Sequence, residues 1–309
     1  MNKLRLYFTL ATLIVLPAAA QSGNPFAGRW DFTVTAKDST YPQWMELVET
    51  NGTPQVRIQP RGGAVRPAAA VKMEGSHLLV TVMDEAADRP AVTWDLTRNG
   101  DQLTGTQKTG DTPSAQLAGV RAPALQRNAP KSWSKPEPLF NGKDLTGWEP
   151  VRDPKNSHWV AKDGELVNEA KGSNLKTTRK FDDFKLHVEF FCPEHCNSGL
   201  YLRGRYEIQI GSEGGSQPTH EMGAIYGYVP AAVEMPLKTG EWQALDVTLI
   251  GRTVTVLRNG VKIHDNVEIP GITGGALDSN EGEPGPFFLQ GDHTGGLRYR
   301  NIKVSTPKK

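Results

Sequence analysis

The stretch NSGLYLRGRYEIQI, residues 197–210, constrains the fold more tightly than any other part of the chain. Read with a period of two, Leu200, Leu202, Ile208 and Ile210 fall on one side, and Tyr201, Arg203, Glu207 and Gln209 fall on the other. Side chains alternate across a strand but recur about every 3.6 residues on a helix, so the pattern specifies strands with one apolar and one polar face. Gly204 stands where the chain must bend or turn. The polar side carries a phenol, a guanidinium, a carboxylate and an amide in a row, so it is either a solvated face or a site.

The same short alternation runs through the rest of the chain. With 32 glycines and 22 prolines, turns are frequent, and long helical periods are missing, which predicts an all-β protein. Residues 25–121 contain short strands separated by turn-formers such as Asn51-Gly52, Gly62-Gly63 and Asn99-Gly100, the pattern of a small all-β accessory domain, barrel or sandwich. Trp30 and Trp94 alternate with polar neighbours there and read as core. Residues 122–138 are proline-rich, form the expected linker and argue against regular structure. A second β-domain is expected over 139–306. In it Leu186, Val188 and Phe190 alternate with His187 and Glu189, and Phe288, Gln290 and Asp292 point away from Phe287 and Leu289. Gly-rich excursions at 211–236, with His220, Glu221 and Tyr226, and at 271–286 are long enough to be functional loops.

Lys3 and Arg5 precede an apolar run at 6–16 and the small residues Ala18-Ala19-Ala20, the layout of a signal peptide over 1–20. The expected mature protein is periplasmic or secreted. That run falls short of the ~20 apolar residues of a membrane span, and no longer one follows. Lysine plus arginine number 35 against 34 aspartates and glutamates, so net charge recruits neither nucleic acid nor an anionic membrane, and a neutral partner is expected. The two cysteines, Cys192 and Cys196, lie in CPEHC. Export favours a disulfide between them, provided their Cα atoms come within about 7 Å. A metal reading with His195 lacks a fourth ligand.

Several blocks in order, LFNGKDLTGW, WVAKDGEL, NLKTTRKFDDFKLHVEF, NSGLYLRGRYEIQI, GAIYG, EWQALDVTLIGRTVTVLRNG and GPFFLQGDHTGGLRYRNIKV, make residues 139–304 resemble the 3-keto-disaccharide hydrolase family. The resemblance implies a concanavalin-like jelly-roll sandwich with a concave, polar, sugar-facing side, and it implies glycosides oxidised at C3 as substrates. It does not extend to the first module.

A ketone at C3 acidifies the C2 hydrogen. A base removes that hydrogen, the enolate expels the C1 aglycone, and water adds back, for net hydrolysis. Such a site needs a base, a group that stabilises the enolate oxygen and an acid for the leaving oxygen. Candidate catalytic residues are Glu189, Arg203, Glu207 and His293; candidate sugar contacts are Asn197, Tyr201, Gln209, Gln290 and the rings of Tyr226 and Trp148. Each has a structural alternative, such as an Arg203–Glu207 salt bridge, a solvated Glu189 face, a loop-capping His293 or a Trp148 at a domain interface. The residues specify no particular cofactor; Glu207, Asp292 and His293 are hard donors compatible with a divalent metal, although no HExxH-type spacing supports one. Two rival readings share these residues: a non-catalytic, lectin-like carbohydrate binder, and a conventional glycosidase whose two carboxylates, Glu189 and Glu207, stand about 5–9 Å apart.

Overall fold

The computed structural model describes residues 23–83, 90–212 and 217–308. The expected signal peptide over 1–20 lies outside them.

The first module is a meander of antiparallel strands: β1 (Gly28–Ala36), β2 (Ser39–Thr50), β3 (Thr53–Gln59), β4 (Arg66–Pro67), β5 (Ala70–Glu74), β6 (His77–Val82), β7 (Val92–Asn99), β8 (Gln102–Thr109) and β9 (Thr112–Arg121). The sheet order is β4-β3-β2-β1-β9-β8-β7-β6-β5. Its two ends meet: Ala68 N donates to Val56 O of β3 and Ala69 N to Thr81 O of β6, so the segment holding β4 and β5 bridges β3 and β6 and curls the sheet into a barrel. Trp30, Phe32, Met45, Leu47, Trp94 and Leu96 fill it. Trp30 and Trp94 are thus core, as their alternation predicts. Arg121 lies over the Trp30 ring, 3.8 Å from its centroid, and donates to Pro25 O at 2.8 Å, which ties the barrel's first and last strands together.

The linker is more ordered than its prolines suggest. Leu125 is buried, Leu125 O accepts from Arg252 N, and Ser134 N donates to Thr306 O. The two-residue strand β10 (Glu137–Pro138) pairs with the last strand of the chain, in a place where proline's missing N–H does no harm.

The second module is a sandwich. One sheet contains β12 (Trp159–Lys162), β13 (Glu165–Asn168), β15 (Phe184–Phe191), β18 (Trp242–Ile250), β19 (Thr253–Arg258), β20 (Val261–Glu268) and β22 (Leu297–Ser305), in the order β12-β13-β22-β15-β18-β19-β20 with β10 beside β22. The other runs β11-β14-β21-β16-β17, with β11 (Trp148–Pro150), β14 (Leu175–Thr177), β16 (Asn197–Leu202), β17 (Tyr206–Gly211) and β21 (Phe288–Leu289). Between them lie Leu186, Val188, Phe190, Leu200, Leu202, Ile208, Val247 and Leu289, the apolar partners of each alternating strand. Each such side chain contributes roughly 1.5–3 kcal/mol by burial. Cys192 and Cys196 form a disulfide at the edge of this core, with Cα atoms 5.8 Å apart.

In one respect the second sheet departs from simple alternation: every residue of β17 is buried. Loop residues pack along it: Gln209 N donates to Ala224 O, Tyr226 N to Glu207 O, and Glu207 N to Thr273 Oγ1.

Candidate active site

Strand register sets a row of side chains across the five-stranded sheet. Glu149 stands opposite Lys176, Lys176 opposite Phe288, Phe288 opposite Tyr201, and Tyr201 opposite Glu207. All of them line one cleft of about 870 Å³. Tyr201 Oη donates to Glu207 Oε2 at 2.6 Å and accepts from Gly275 N at 3.0 Å. The Tyr201 ring stacks on Phe288, with centroids 4.3 Å apart and planes 16° apart. At the other end Lys176 Nζ pairs with Glu149 Oε1 at 3.0 Å.

Two glycines and a threonine shape the setting of Glu207. A Cβ on Gly199, which stands opposite Gln209 and so lies diagonal to Glu207 on the paired strand, would lie 2.0 Å from Glu207 Oε1, so the carboxylate occupies space that only glycine leaves open. A Cβ on Gly274 would lie 2.4 Å from Glu207 Oε2. Thr273 Oγ1 accepts from Glu207 N at 2.7 Å and fixes the strand against its loop. Burial first, then the neighbouring Glu207 charge, pushes the Tyr201 phenol well above its ordinary range, so it remains a proton donor to Glu207.

One pleat along, Asn174, Gln290, Asp292 and His293 line the same cleft. Asn174 Oδ1 accepts from Gly291 N at 2.7 Å and Asp292 N at 3.1 Å, anchoring the turn, while Asp292 Oδ1 meets His293 Nδ1 at 2.7 Å. Burial alone would raise the Asp292 carboxyl, but its bonds to His293 and Asn174 outweigh that and hold it below the usual range. Gln290 Oε1 is buried and accepts no hydrogen bond from the described residues. Tyr226 closes one side, its ring stacked on His220 at 4.8 Å.

The structure therefore brings together Glu207, Tyr201, Tyr226, Gln290, Asp292 and His293, and it places the other candidates elsewhere. Glu189 lies on the outer face of the other sheet, bound to Arg300 at 2.6 Å and Asn301 at 2.7 Å. Burial would raise its carboxyl, yet these partners hold it low. A two-carboxylate pair of Glu189 and Glu207 is thereby removed, since the sandwich core separates them. Arg203 is fully buried in the hairpin turn, at φ 53°, and donates to Gly251 O at 2.7 Å, Tyr206 Oη at 3.1 Å and Asp182 Oδ1 at 3.2 Å. Trp148 is packed in the core and donates to Leu139 O at 2.9 Å, at no domain interface. Gln209 Nε2 donates to Asn197 Oδ1 at 3.0 Å, so these two amides engage each other behind the cleft wall. As for a metal, Glu207 is engaged with Tyr201 and Asp292 with His293, and among the described residues no group of three His, Cys, Asp or Glu side chains is placed to hold an ion. These residues do not fit a metal cage. Lys176, Glu149 and Asn174 also line the site; strand parity marks the polar side of Lys176 and Glu149 but not their neighbours, and Asn174 lies just before β14.

The family model of the 3-keto-alpha-glucoside-1,2-lyase-like domain matches residues 135–305. Among solved structures, a candidate glycosyl hydrolase from Parabacteroides distasonis ATCC 8503 is 26% identical over 59% of this chain and 93% of its own, with a TM-score of 0.48. A second from the same organism is 26% identical over 56% of this chain and 100% of its own, with a TM-score of 0.44. The carbohydrate-binding module CBM66 from Bacillus subtilis is 12% identical over 52% of this chain and 97% of its own, with a TM-score of 0.33. No curated protein matches the chain. Through its carboxy-terminal sandwich, this chain belongs to the carbohydrate-active family of the 3-keto-alpha-glucoside-1,2-lyase-like domain.

Proposed function

We propose that the protein is an exported enzyme that cleaves 3-keto-glycosides by elimination and hydration, with Glu207 as the base. The observation that carries this reading is the Tyr201–Glu207 pair, a carboxylate at 2.6 Å from a phenol, buried on the floor of a cleft lined by sugar-compatible groups. Glu207 takes the C2 proton of the keto ring, and the electron pair forms the C2–C3 enolate. The enolate collapses to C1–C2 unsaturation as the C1–O bond breaks, and the His293–Asp292 pair supplies the proton to the leaving oxygen. Water then adds across C1 and C2, with oxygen at C1 and hydrogen at C2, so the sum is hydrolysis. Tyr226 offers an aromatic ring to the pyranose, and Gln290 Oε1 is an acceptor ready for a sugar hydroxyl.

The test is release of the aglycone from a 3-keto-glucoside. Wild-type protein is expected to release it, and Glu207→Gln, which keeps size but removes the base, to lose roughly 10²–10⁴-fold in kcat while still binding sugar. An unchanged rate in Glu207→Gln would overturn the assignment.

A further inference from the structure

One wall of the cleft is not supplied by the family domain. Thr40, Gly62 and Gly63 line it, and all three belong to the barrel, outside residues 135–305. The contact is a fastened one. Two sandwich loops frame Glu207, and the barrel is hydrogen-bonded to both.

On the first loop, Val65 N donates to Gly227 O at 2.9 Å. A Cβ on Gly227 would lie 2.7 Å from Ala64 Cα, so the two backbones meet with no side chain between them. The preceding residue, Tyr226, lines the cleft, and its N–H donates to Glu207 O at 3.1 Å. On the second loop, Trp44 Nε1 donates to Ile272 O at 2.7 Å, with its ring against Gly271. The next residue is Thr273, which holds Glu207 N. Arg29 extends the seam, donating to Pro270 O at 2.5 Å and pairing with Glu268. The position of the barrel edge is thus tied, through one residue on either side, to the position of Glu207.

We infer that the barrel edge made by Thr40 and the Gly62–Gly63 turn is the size-determining wall of this cleft, limiting how far a glycan extends beyond the ring seated over Glu207. This rests on the functional reading above. Gly62 and Gly63 have φ of +63° and +81°, and a Cβ on either would meet nothing within 4 Å, so bare peptide bounds the space there. Thr40 is exposed and is the one side chain among these three lining residues. The volume of about 870 Å³ is near the upper end of the roughly 300–1,000 Å³ typical of ligand pockets, enough for more than one sugar ring. The ligand class implied is an oxidised disaccharide or short oligosaccharide, with the barrel selecting among lengths.

Thr40→Trp tests this, because Thr40 lies on a strand, where an aromatic residue is well tolerated. Methyl 3-keto-glucoside, a 3-keto-disaccharide and a 3-keto-trisaccharide are compared on wild type, Thr40→Trp and Thr40→Val, by kcat/KM and by calorimetric Kd, with melting curves to confirm folding. The expected result for Thr40→Trp is a loss of about 10-fold or more on the longer ligands with the methyl glycoside within ~2-fold, and Thr40→Val near wild type throughout. Equal change on all three ligands, or no change on any, overturns the proposal. Should wild type bind the series without turning it over, the catalytic reading fails while the length pattern in Kd still decides this one; binding of none of the three overturns it.

Discussion

Glu207 is held by contacts that each leave a measurable mark when removed. Gly199→Ala adds a methyl whose carbon would lie 2.0 Å from Glu207 Oε1, so the carboxylate must move. A displacement of about 1 Å can cost about 10²-fold in rate. The expected outcome is a kcat loss of that order with a melting temperature close to wild type; full activity would show that the Glu207 position does not matter. Tyr201→Phe removes the 2.6 Å donor but keeps the ring on Phe288, and it should shift the acid limb of the pH–rate profile while sugar binding persists. At this scale alternation placed Tyr201 and Glu207 on one side correctly, since both are on regular strands. It misplaced Arg203, because a residue at φ 53° in a turn no longer follows the pleat.

The hairpin of β16 and β17 is the element on which the site is built, and its turn is structural. Arg203 satisfies Gly251 O, Tyr206 Oη and Asp182 from a fully buried position, and Tyr206 Oη in turn donates to Glu281 Oε1 at 2.6 Å. Arg203→Met strips buried acceptors of their donor, at roughly 1–3 kcal/mol for each unsatisfied group. The expected result is a lowered melting temperature with kcat per folded molecule retained; a variant equally stable but inactive would return Arg203 to the chemistry. Sheet composition also explains what the sequence concealed. Lys176 and Glu149 alternate as legibly as Tyr201 does, yet their place beside Phe288 comes from pairing between strands distant in sequence. Glu189 shows the converse: its parity is that of a polar face, but of the outer face of the opposite sheet, and period two cannot tell one polar face from another.

Asp31 of the barrel and Glu281 and Arg252 of the sandwich form a buried ionisable cluster where the two meet. Burial first, and then the charge and hydrogen bond of Glu281, raise the Asp31 carboxyl from 3.8 to about 9. Glu281 is buried beside it and pairs with Arg252 at 3.0 Å. The folded chain thus keeps a proton on Asp31 that the unfolded chain releases above its ordinary value. Stability from this group is fully present below about pH 4 and falls as pH rises toward about 9, at up to ~1.4 kcal/mol per pH unit. Asp31→Asn, neutral at every pH, should flatten the melting temperature between about pH 5 and pH 8.5 relative to wild type; an unchanged slope would remove Asp31 as its source. The all-β character of the chain was legible from alternation, whereas the docking of barrel on sandwich, made of contacts at Gly227 and Gly271, had no sequence pattern to announce it. Proton abstraction at C2 by Glu207 can be read out by running 3-keto-glucoside cleavage in D₂O and locating deuterium in the sugar product. Aglycone release is expected with one deuterium at C2, lost together with the activity in Glu207→Gln; release with no deuterium at C2 would rule out abstraction there.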